Sequence, residues 1–196
     1  MSRERRERQA ARLAGPQSAR RPVFRAIETL LWVVVAGLFV WRVAPQVQAA
    51  VGWGSGGTDA PAVTFEMLDG SALPLGGLKG QVVLVNFWAT WCPPCRAEMP
   101  GFQRVYEAKH TSGFTVVGVS TDELPVARVA SFLHDHNIGY PVAMATQRTV
   151  AAFGGVSSLP SSFLIDRKGR VRYVVRGIFA EFTLRAAIDR LLAEGS

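Results

Sequence analysis

Two cysteines, Cys92 and Cys95, stand three residues apart where a predicted strand gives way to a predicted helix. Before them, Val82 to Trp88 (VVLVNFW) is a nearly continuous apolar run, which is typical of a strand buried on both faces. After them, a helix is predicted from Pro93 to about Lys109, with a second proline in its first turn, where proline is tolerated. The fold therefore has to place both sulfurs at the start of a helix that follows a buried strand.

The start of a helix is a favourable place for a thiolate. Its unpaired N–H groups and the positive end of the helix dipole stabilise an anion, which lowers the pKa of a thiol located there. Two intervening residues let the sulfurs approach within bonding distance. We expect Cys92 to be exposed and to attack a partner disulfide, and Cys95, one turn further on, to be more buried and to resolve the mixed disulfide.

Three other interpretations of the cysteine pair are a structural disulfide, half of an intermolecular metal site, and two inert core cysteines. A disulfide that closes so small a loop constrains the unfolded chain little. The chain has only two cysteines, which is half the number in a typical four-ligand zinc site. The position between a buried strand and a helix favours redox chemistry over all three.

The rest of the domain alternates strands and helices. A second buried strand is predicted over Phe114–Ser120, an amphipathic helix from Pro125 to about His136, a hairpin with strands 162–166 and 170–175, and a closing helix from Phe179 to Glu194. This order implies βαβ units with an antiparallel edge. The predicted class is α/β, a central mixed β-sheet flanked by helices.

The charge is distributed unevenly. Residues 1–25 carry eight arginines against two glutamates, whereas the remaining residues carry 14 basic and 13 acidic side chains. Six of the seven net positive charges therefore belong to an N-terminal tail. Because the folded part has no basic excess to attract phosphates, we expect no nucleic-acid partner.

The segment that follows the basic tail is predicted to be an N-terminal transmembrane helix. Its uninterrupted apolar core, Leu30 to Trp41, has 12 residues, whereas a full span needs about 20. Extension to Val23–Ala44 reaches that length but includes Glu28 and two arginines near the ends. A cleaved secretory signal, with small residues at 47–49, is the main alternative, and a buried core helix is a third. The first two give the same topology, with the basic side in the cytoplasm.

The predicted organisation has four parts. They are a basic cytoplasmic tail (1–25), a transmembrane anchor or signal segment (26–44), a flexible Gly-rich linker (45–60) and a compact domain (61–196). The predicted location is the bacterial cytoplasmic (inner) membrane, crossed once, with the domain on the periplasmic or extracytoplasmic side. Membrane lipid is then a partner of the N-terminal helix.

Two segments resemble a known family. VLVNFWATWCPPCRAEMP is similar to the active-site segment of TlpA/ResA/DsbE-type proteins, which are membrane-anchored, extracytoplasmic, thioredoxin-like proteins related to the redoxin and AhpC/TSA group. GVSSLPSSFLIDRKGRV supports the resemblance independently, and the similarity runs from about Ala60 to Ala193. It implies a thioredoxin-like fold and thiol-disulfide oxidoreductase activity, which in many members serves cytochrome c maturation.

The resemblance implies roles for two further residues. Pro160 matches the cis-proline that faces the cysteine pair, beside which the backbone pairs with an extended substrate. Glu98 lies three residues after Cys95 and so shares its helix face; a carboxylate there would raise the pKa of the thiol and relay its proton. A solvated surface glutamate is the alternative. Asn86 stands where thioredoxin has a buried aspartate, so that aspartate's proton relay is not available.

The expected function is reduction of client disulfides, with Cys92, Cys95, Glu98 and Pro160 as the catalytic residues and with no cofactor and no metal. Clients would be proteins such as apocytochrome c or copper-site proteins, and electrons would come from a membrane thiol-electron carrier. Asp122 and Glu123 follow the second buried strand, at the end of the sheet where the cysteines are expected.

Three alternative functions belong to other classes. A thiol oxidase or isomerase of the DsbA type has a large helical insertion before the cis-proline, whereas only 39 residues lie between Ser120 and Pro160 here. A peroxidase of the peroxiredoxin group has a Pro-x-x-x-Thr-x-x-Cys pattern, which Pro93-Pro94-Cys95 does not fit. A Cu(I) metallochaperone would use both thiolates as soft ligands.

Overall fold

The computed structural model describes residues 28, 30–35, 37, 38 and 57–194. The chain divides into two compact units, 1–47 and 48–196. In the first unit the described residues are helical and exposed. Within the described ranges, no helix is both long enough and apolar enough to cross a membrane. The predicted basic tail, and most of the predicted anchor and linker, lie outside the described residues.

Residues 57–194, the described part of the second unit, form one mixed sheet of eight strands with helices around it. The strands are β1 (Thr58–Asp59), β2 (Thr64–Met67), β3 (Ala72–Pro74), β4 (Val82–Trp88), β5 (Phe114–Ser120), β6 (Val142–Met144), β7 (Ser161–Ile165) and β8 (Arg170–Arg176). The helices are α1 (Pro93–Lys109), α2 (Val126–Asp135), α3 (Gln147–Ala152) and α4 (Glu181–Ala193), with short 3-10 turns at Leu75–Leu78 and His110–Ser112.

The sheet order is β1-β8-β7-β4-β5-β6-β2-β3. Strands β4, β5 and β6 run parallel, whereas β7 is antiparallel to β4 and β8 is antiparallel to β7. This confirms the predicted thioredoxin-like α/β class with an antiparallel edge. Because β4 lies between β5 and β7, its carboxyl end, where the cysteine segment begins, lies near the middle of the sheet.

Strand β4 is buried along its whole length because both faces of the sheet are covered. Side chains on one face of β4, including Leu84 and Trp88, pack against α1, α2 and α4. Side chains on the opposite face, including Val85 and Phe87, belong to the cluster that contains Phe153, just beyond the end of α3. Burying each such large side chain stabilises the fold by roughly 1.5–3 kcal/mol, so the strand that carries the cysteine segment is held from both sides.

The predicted boundaries of β4, α1 and β5 are confirmed. Helix α4 begins at Glu181 and not at Phe179, because the N–H of Phe179 donates to the carboxylate of Glu98 (2.9 Å) and its side chain enters the core. Helix α3 was not predicted. Its N-terminus has a capping box formed by Thr146 and Thr149. The second residue of this motif is usually glutamate or glutamine, so the threonine makes the motif harder to recognise in the sequence.

The structure describes the last four residues of the predicted linker, 57–60. Thr58 and Asp59 form β1 and pair with Val171 and Arg170 of β8. Ala60 N donates to Gly169 O (2.8 Å). The backbone of residues 58–60 thus completes the edge of the sheet.

Candidate active site

Cys92 is the N-cap of α1 and forms a disulfide with Cys95, with 5.3 Å between the Cα atoms. Pro93 and Pro94 occupy the first two helical positions and carry no N–H. The first N–H that the helix offers is therefore that of Cys95, and it donates to Cys92 Sγ (3.3 Å). When the pair is reduced, this donor and the helix dipole are placed to stabilise a thiolate on Cys92.

The expected exposure of Cys92 is wrong for the disulfide form, in which Cys92 is 3% exposed and Cys95 fully buried. The disulfide joins Cys92 to a fully buried partner, and little of the surface of Cys92 remains exposed. Cys92 borders a groove of about 460 Å³. The groove is lined by uncharged residues, namely Trp91, Cys92, Pro93, Pro94, Thr121, Val150, Val156, Ser157, Ser158 and Leu159.

The peptide bond between Leu159 and Pro160 is cis, as the family resemblance predicts. Leu159 lines the same groove as Cys92, which brings the proline loop to the cysteine pair. Pro160 O accepts a hydrogen bond from Gly177 N (2.8 Å), and Ser161 Oγ donates to Ser158 O (2.7 Å). The loop is therefore fixed from both its β7 end and the turn after β8.

Glu98 is buried, which rules out the alternative of a solvated surface glutamate. Its Oε1 accepts from Asn86 Nδ2 (2.9 Å) and its Oε2 accepts from Phe179 N (2.9 Å). Burial raises the pKa of Glu98 to about 7, although both hydrogen bonds act in the opposite direction. Near neutral pH this carboxyl can thus hold or release a proton on the helix face that it shares with Cys95.

Asn86 connects three elements behind the cysteine pair, namely β4, β7 and α1. It lies on β4 opposite Ser162 of β7, and its Nδ2 donates to Ser162 Oγ (3.0 Å) as well as to Glu98 on α1.

Tyr140 is also buried near Glu98. Its burial and the nearby charge of Glu98 both raise the pKa of its hydroxyl. Its ring edge packs over Gly118, where an added Cβ would come within 3.1 Å. A glycine on β5 thus leaves room for the tyrosine.

The structure brings Asp122 to the cysteine segment and leaves Glu123 exposed. The Asp122 carboxylate accepts hydrogen bonds from Thr90, two residues before Cys92. Sequence reasoning missed the roles of Ser162, Tyr140 and the Phe179 N–H. Each of these groups reaches the site only through tertiary contacts. For Ser162, the register of β4 and β7 would have indicated the contact, because it places Ser162 opposite Asn86.

Comparisons with known proteins agree with this geometry. Residues 57–174 match the family described as AhpC/TSA. The chain is 38% identical to the thiol-disulfide oxidoreductase ResA of Bacillus subtilis (strain 168) over 127 residues, which are 65% of this chain and 70% of that protein. A thiol:disulfide interchange protein of the thioredoxin family from Chlorobium tepidum TLS superposes with a TM-score of 0.65 and 34% identity, over 71% of this chain and 99% of that one.

A secreted thiol-disulfide isomerase from Corynebacterium glutamicum is also similar, with a TM-score of 0.64 and 25% identity over 68% of this chain and 85% of that one. Both superposed structures share the fold of the domain that carries the cysteine pair in this chain. The chain therefore belongs to the AhpC/TSA family and is a thioredoxin-like thiol-disulfide oxidoreductase related to the ResA proteins.

Proposed function

We propose that this protein reduces disulfides in exported client proteins, with Cys92 as the attacking thiol and Cys95 as the resolving thiol. The Cys92 thiolate attacks one sulfur of a client disulfide, which forms a mixed disulfide and releases one client thiolate. The Cys95 thiolate then attacks Cys92 Sγ, which releases the second client thiolate and leaves the Cys92–Cys95 disulfide. The client gains two electrons and two protons, and the enzyme loses them.

Glu98 favours electron flow from the cysteine pair to the client. A carboxylate close to a thiolate disfavours the charged sulfur, and the buried Glu98 lies on the same face of α1 as Cys95. A redox pair whose thiolate-bearing form is stabilised is an oxidant. In its ionised form Glu98 acts against that stabilisation, so it favours a pair that donates electrons.

The remaining site residues hold the client. The described residues that line the groove beside Cys92 are all uncharged, which suits an extended segment of client backbone lying along the Leu159–Pro160 loop. Apocytochrome c and copper-site proteins are the client classes that we propose, because both need reduced cysteines before they take up haem or metal. Reduction in an oxidising compartment requires an external supply of electrons, for which we propose a membrane thiol-electron carrier.

We also propose that residues 26–44 anchor the protein in the cytoplasmic membrane and that the domain faces outward. The arginine-rich residues 1–25 would stay in the cytoplasm by the positive-inside rule. The likeness to a secreted isomerase supports an exported domain. Recovery of the full-length protein in the membrane fraction after alkaline carbonate extraction would support the anchor, and a mature protein that begins near residue 50 would contradict it.

The reduction potential of the Cys92–Cys95 pair tests the direction. The full-length protein is equilibrated with glutathione buffers of known ratio, and the reduced fraction is counted by thiol alkylation. A reductase requires a potential closer to that of thioredoxin, about −270 mV, than to that of strong thiol oxidants, about −120 mV. A value near the upper figure would reverse the proposed direction, although the exchange chemistry would remain.

A further inference from the structure

A buried carboxylate fastens the turn that presents Cys92. Asp122 follows β5 and is 6% exposed. Its Oδ2 accepts from Thr90 N (2.9 Å) and its Oδ1 accepts from Thr90 Oγ1 (2.7 Å). Both oxygens of one carboxylate therefore hold a single residue of the segment that joins β4 to α1.

The carboxylate is itself held in place. Ser120 Oγ donates to Asp122 Oδ2 (2.8 Å), and Asp122 N donates back to Ser120 Oγ (3.3 Å). Beside this pair, Thr121 N donates to Trp88 O at the end of β4 (2.8 Å). Asp122 thus forms part of a rigid connection between the carboxyl ends of two parallel strands.

The position of Thr90 sets the position of the sulfur. The turn closes with Cys92 N donating to Ala89 O (3.1 Å), so Thr90 lies inside it. The sulfur of Cys92 meets the Cys95 N–H at 3.3 Å. If Thr90 were released, the turn would move and Cys92 Sγ would lose its alignment with the donor that stabilises a thiolate.

We infer that Asp122 is a positioning residue for the redox pair, whose carboxylate holds Thr90 so that Cys92 Sγ faces the start of α1. Its negative charge is met by three donors from Thr90 and Ser120, so its effect is geometric. The inference rests on the proposed attacking role of Cys92, and it is the same for either direction of electron flow.

The test measures the pKa of the Cys92 thiol in a protein that has no other cysteine. In the full-length Cys95→Ser protein, which keeps the backbone N–H of residue 95, the rate of alkylation by iodoacetamide is followed from pH 5 to 10. Adding Asp122→Ala should move the midpoint of the profile upward by about one unit and slow alkylation at pH 7 about tenfold, because that much thiolate is lost. Asp122→Asn keeps an acceptor oxygen for Thr90 and should restore the original midpoint.

Two results would overturn the inference. A downward shift in both Asp122 variants would mean that the carboxylate acts on the sulfur by its charge. An unmoved profile in both, with only a lower unfolding midpoint, would mean that Asp122 serves the fold alone. A Cys92 that iodoacetamide does not modify in the parent Cys95→Ser protein would instead contradict the proposed function.

Thr90 provides a second test should Asp122→Ala not fold. Thr90→Val removes the hydroxyl that donates to Oδ1 and keeps the N–H that donates to Oδ2, so a smaller shift in the same direction is expected. Thr90→Ser should restore the parent profile because it replaces the hydroxyl. A Thr90→Val profile that matches the parent would contradict the inference.

Discussion

The two sulfurs of the redox pair have different surroundings. Cys92 borders an open groove without charged side chains, next to Trp91, which is 69% exposed. Cys95 is fully buried, and on its helix face lies Glu98, a buried carboxyl bonded to Asn86 and to the backbone of Phe179. On the proposed mechanism, the client contacts the disulfide from the groove beside Cys92, and Glu98 takes up the proton on the buried side near Cys95.

The largest expected effect is that of Cys92→Ser. If the groove side makes the attack, this variant loses disulfide exchange completely, because the remaining thiol of Cys95 is buried. The check is reduction of glutathione disulfide by the pre-reduced full-length protein. Residual exchange comparable to that of the native protein would show that Cys95 can attack directly. It would contradict the assignment of the attack to Cys92 alone.

The next effect concerns the pH dependence of stability. Burial raises the pKa of Glu98 from its ordinary value of 4.5 to about 7, so the fold favours the protonated acid. Its contribution is fully present below about pH 4.5 and is lost as the pH rises through 7. A shift of this size corresponds to about 3 kcal/mol in the free energy of unfolding.

Urea unfolding of the oxidised protein at pH 5 and pH 8 measures this loss. Glu98→Gln cannot ionise, so the difference between the two pH values should nearly disappear, whereas Glu107→Gln on the exposed side of α1 should leave it unchanged. Equal pH dependence in the Glu98 and Glu107 variants would mean that the buried side does not control a proton.

Removal of Asn86 should have a smaller effect. Asn86→Ala deletes the donor to Glu98 Oε1 and to Ser162 Oγ, which should cost roughly 1–3 kcal/mol of stability. Because the bond from Asn86 lowers the pKa of Glu98, its loss should raise that pKa further. NMR titration of the Glu98 carboxyl measures this change in pKa. A lower pKa in Asn86→Ala would be inconsistent with the hydrogen bond from Asn86. Ser162→Ala is the matched control, since it leaves the Asn86–Glu98 bond in place.

The smallest expected effect is at the surface. Arg104 pairs with Glu181 (2.6 Å) and joins α1 to α4, but its side chain is 60% exposed. Exposed ion pairs contribute little to stability, so Arg104→Ala should barely change the urea midpoint. A loss as large as that of Asn86→Ala would show that the rim of the site, and not its buried polar centre, holds the two helices together.

The open side of the site was largely predictable from the sequence. The apolar run of β4, the cysteine spacing and the proline at the start of α1 are local signals, and they gave the right strand, turn and helix. The cis bond at Pro160 followed from the family resemblance. The exposure of Cys92 was misjudged, because a thiol that pairs inward in the oxidised form leaves little of its surface free.

The buried side was predictable only in part. Helical spacing placed Glu98 on the face of Cys95, but its burial depends on Phe179, 81 residues later in the chain. Asn86 was recognised by position, yet its contact with Ser162 requires the antiparallel register of β4 and β7. Contacts of this kind form only when distant segments pack, so no local pattern in the sequence encodes them.

The most direct test of the central claim is to trap the mixed disulfide. Full-length Cys95→Ser protein is expressed in the organism that naturally makes it, and free thiols are blocked by rapid alkylation. The mixed-disulfide adducts are then identified by mass spectrometry. The proposed mechanism predicts a disulfide between Cys92 and an exported client, which is absent when Cys92 is also replaced by serine. Adducts that form equally in a Cys92→Ser protein, through Cys95, would contradict the assignment of attack to the groove side.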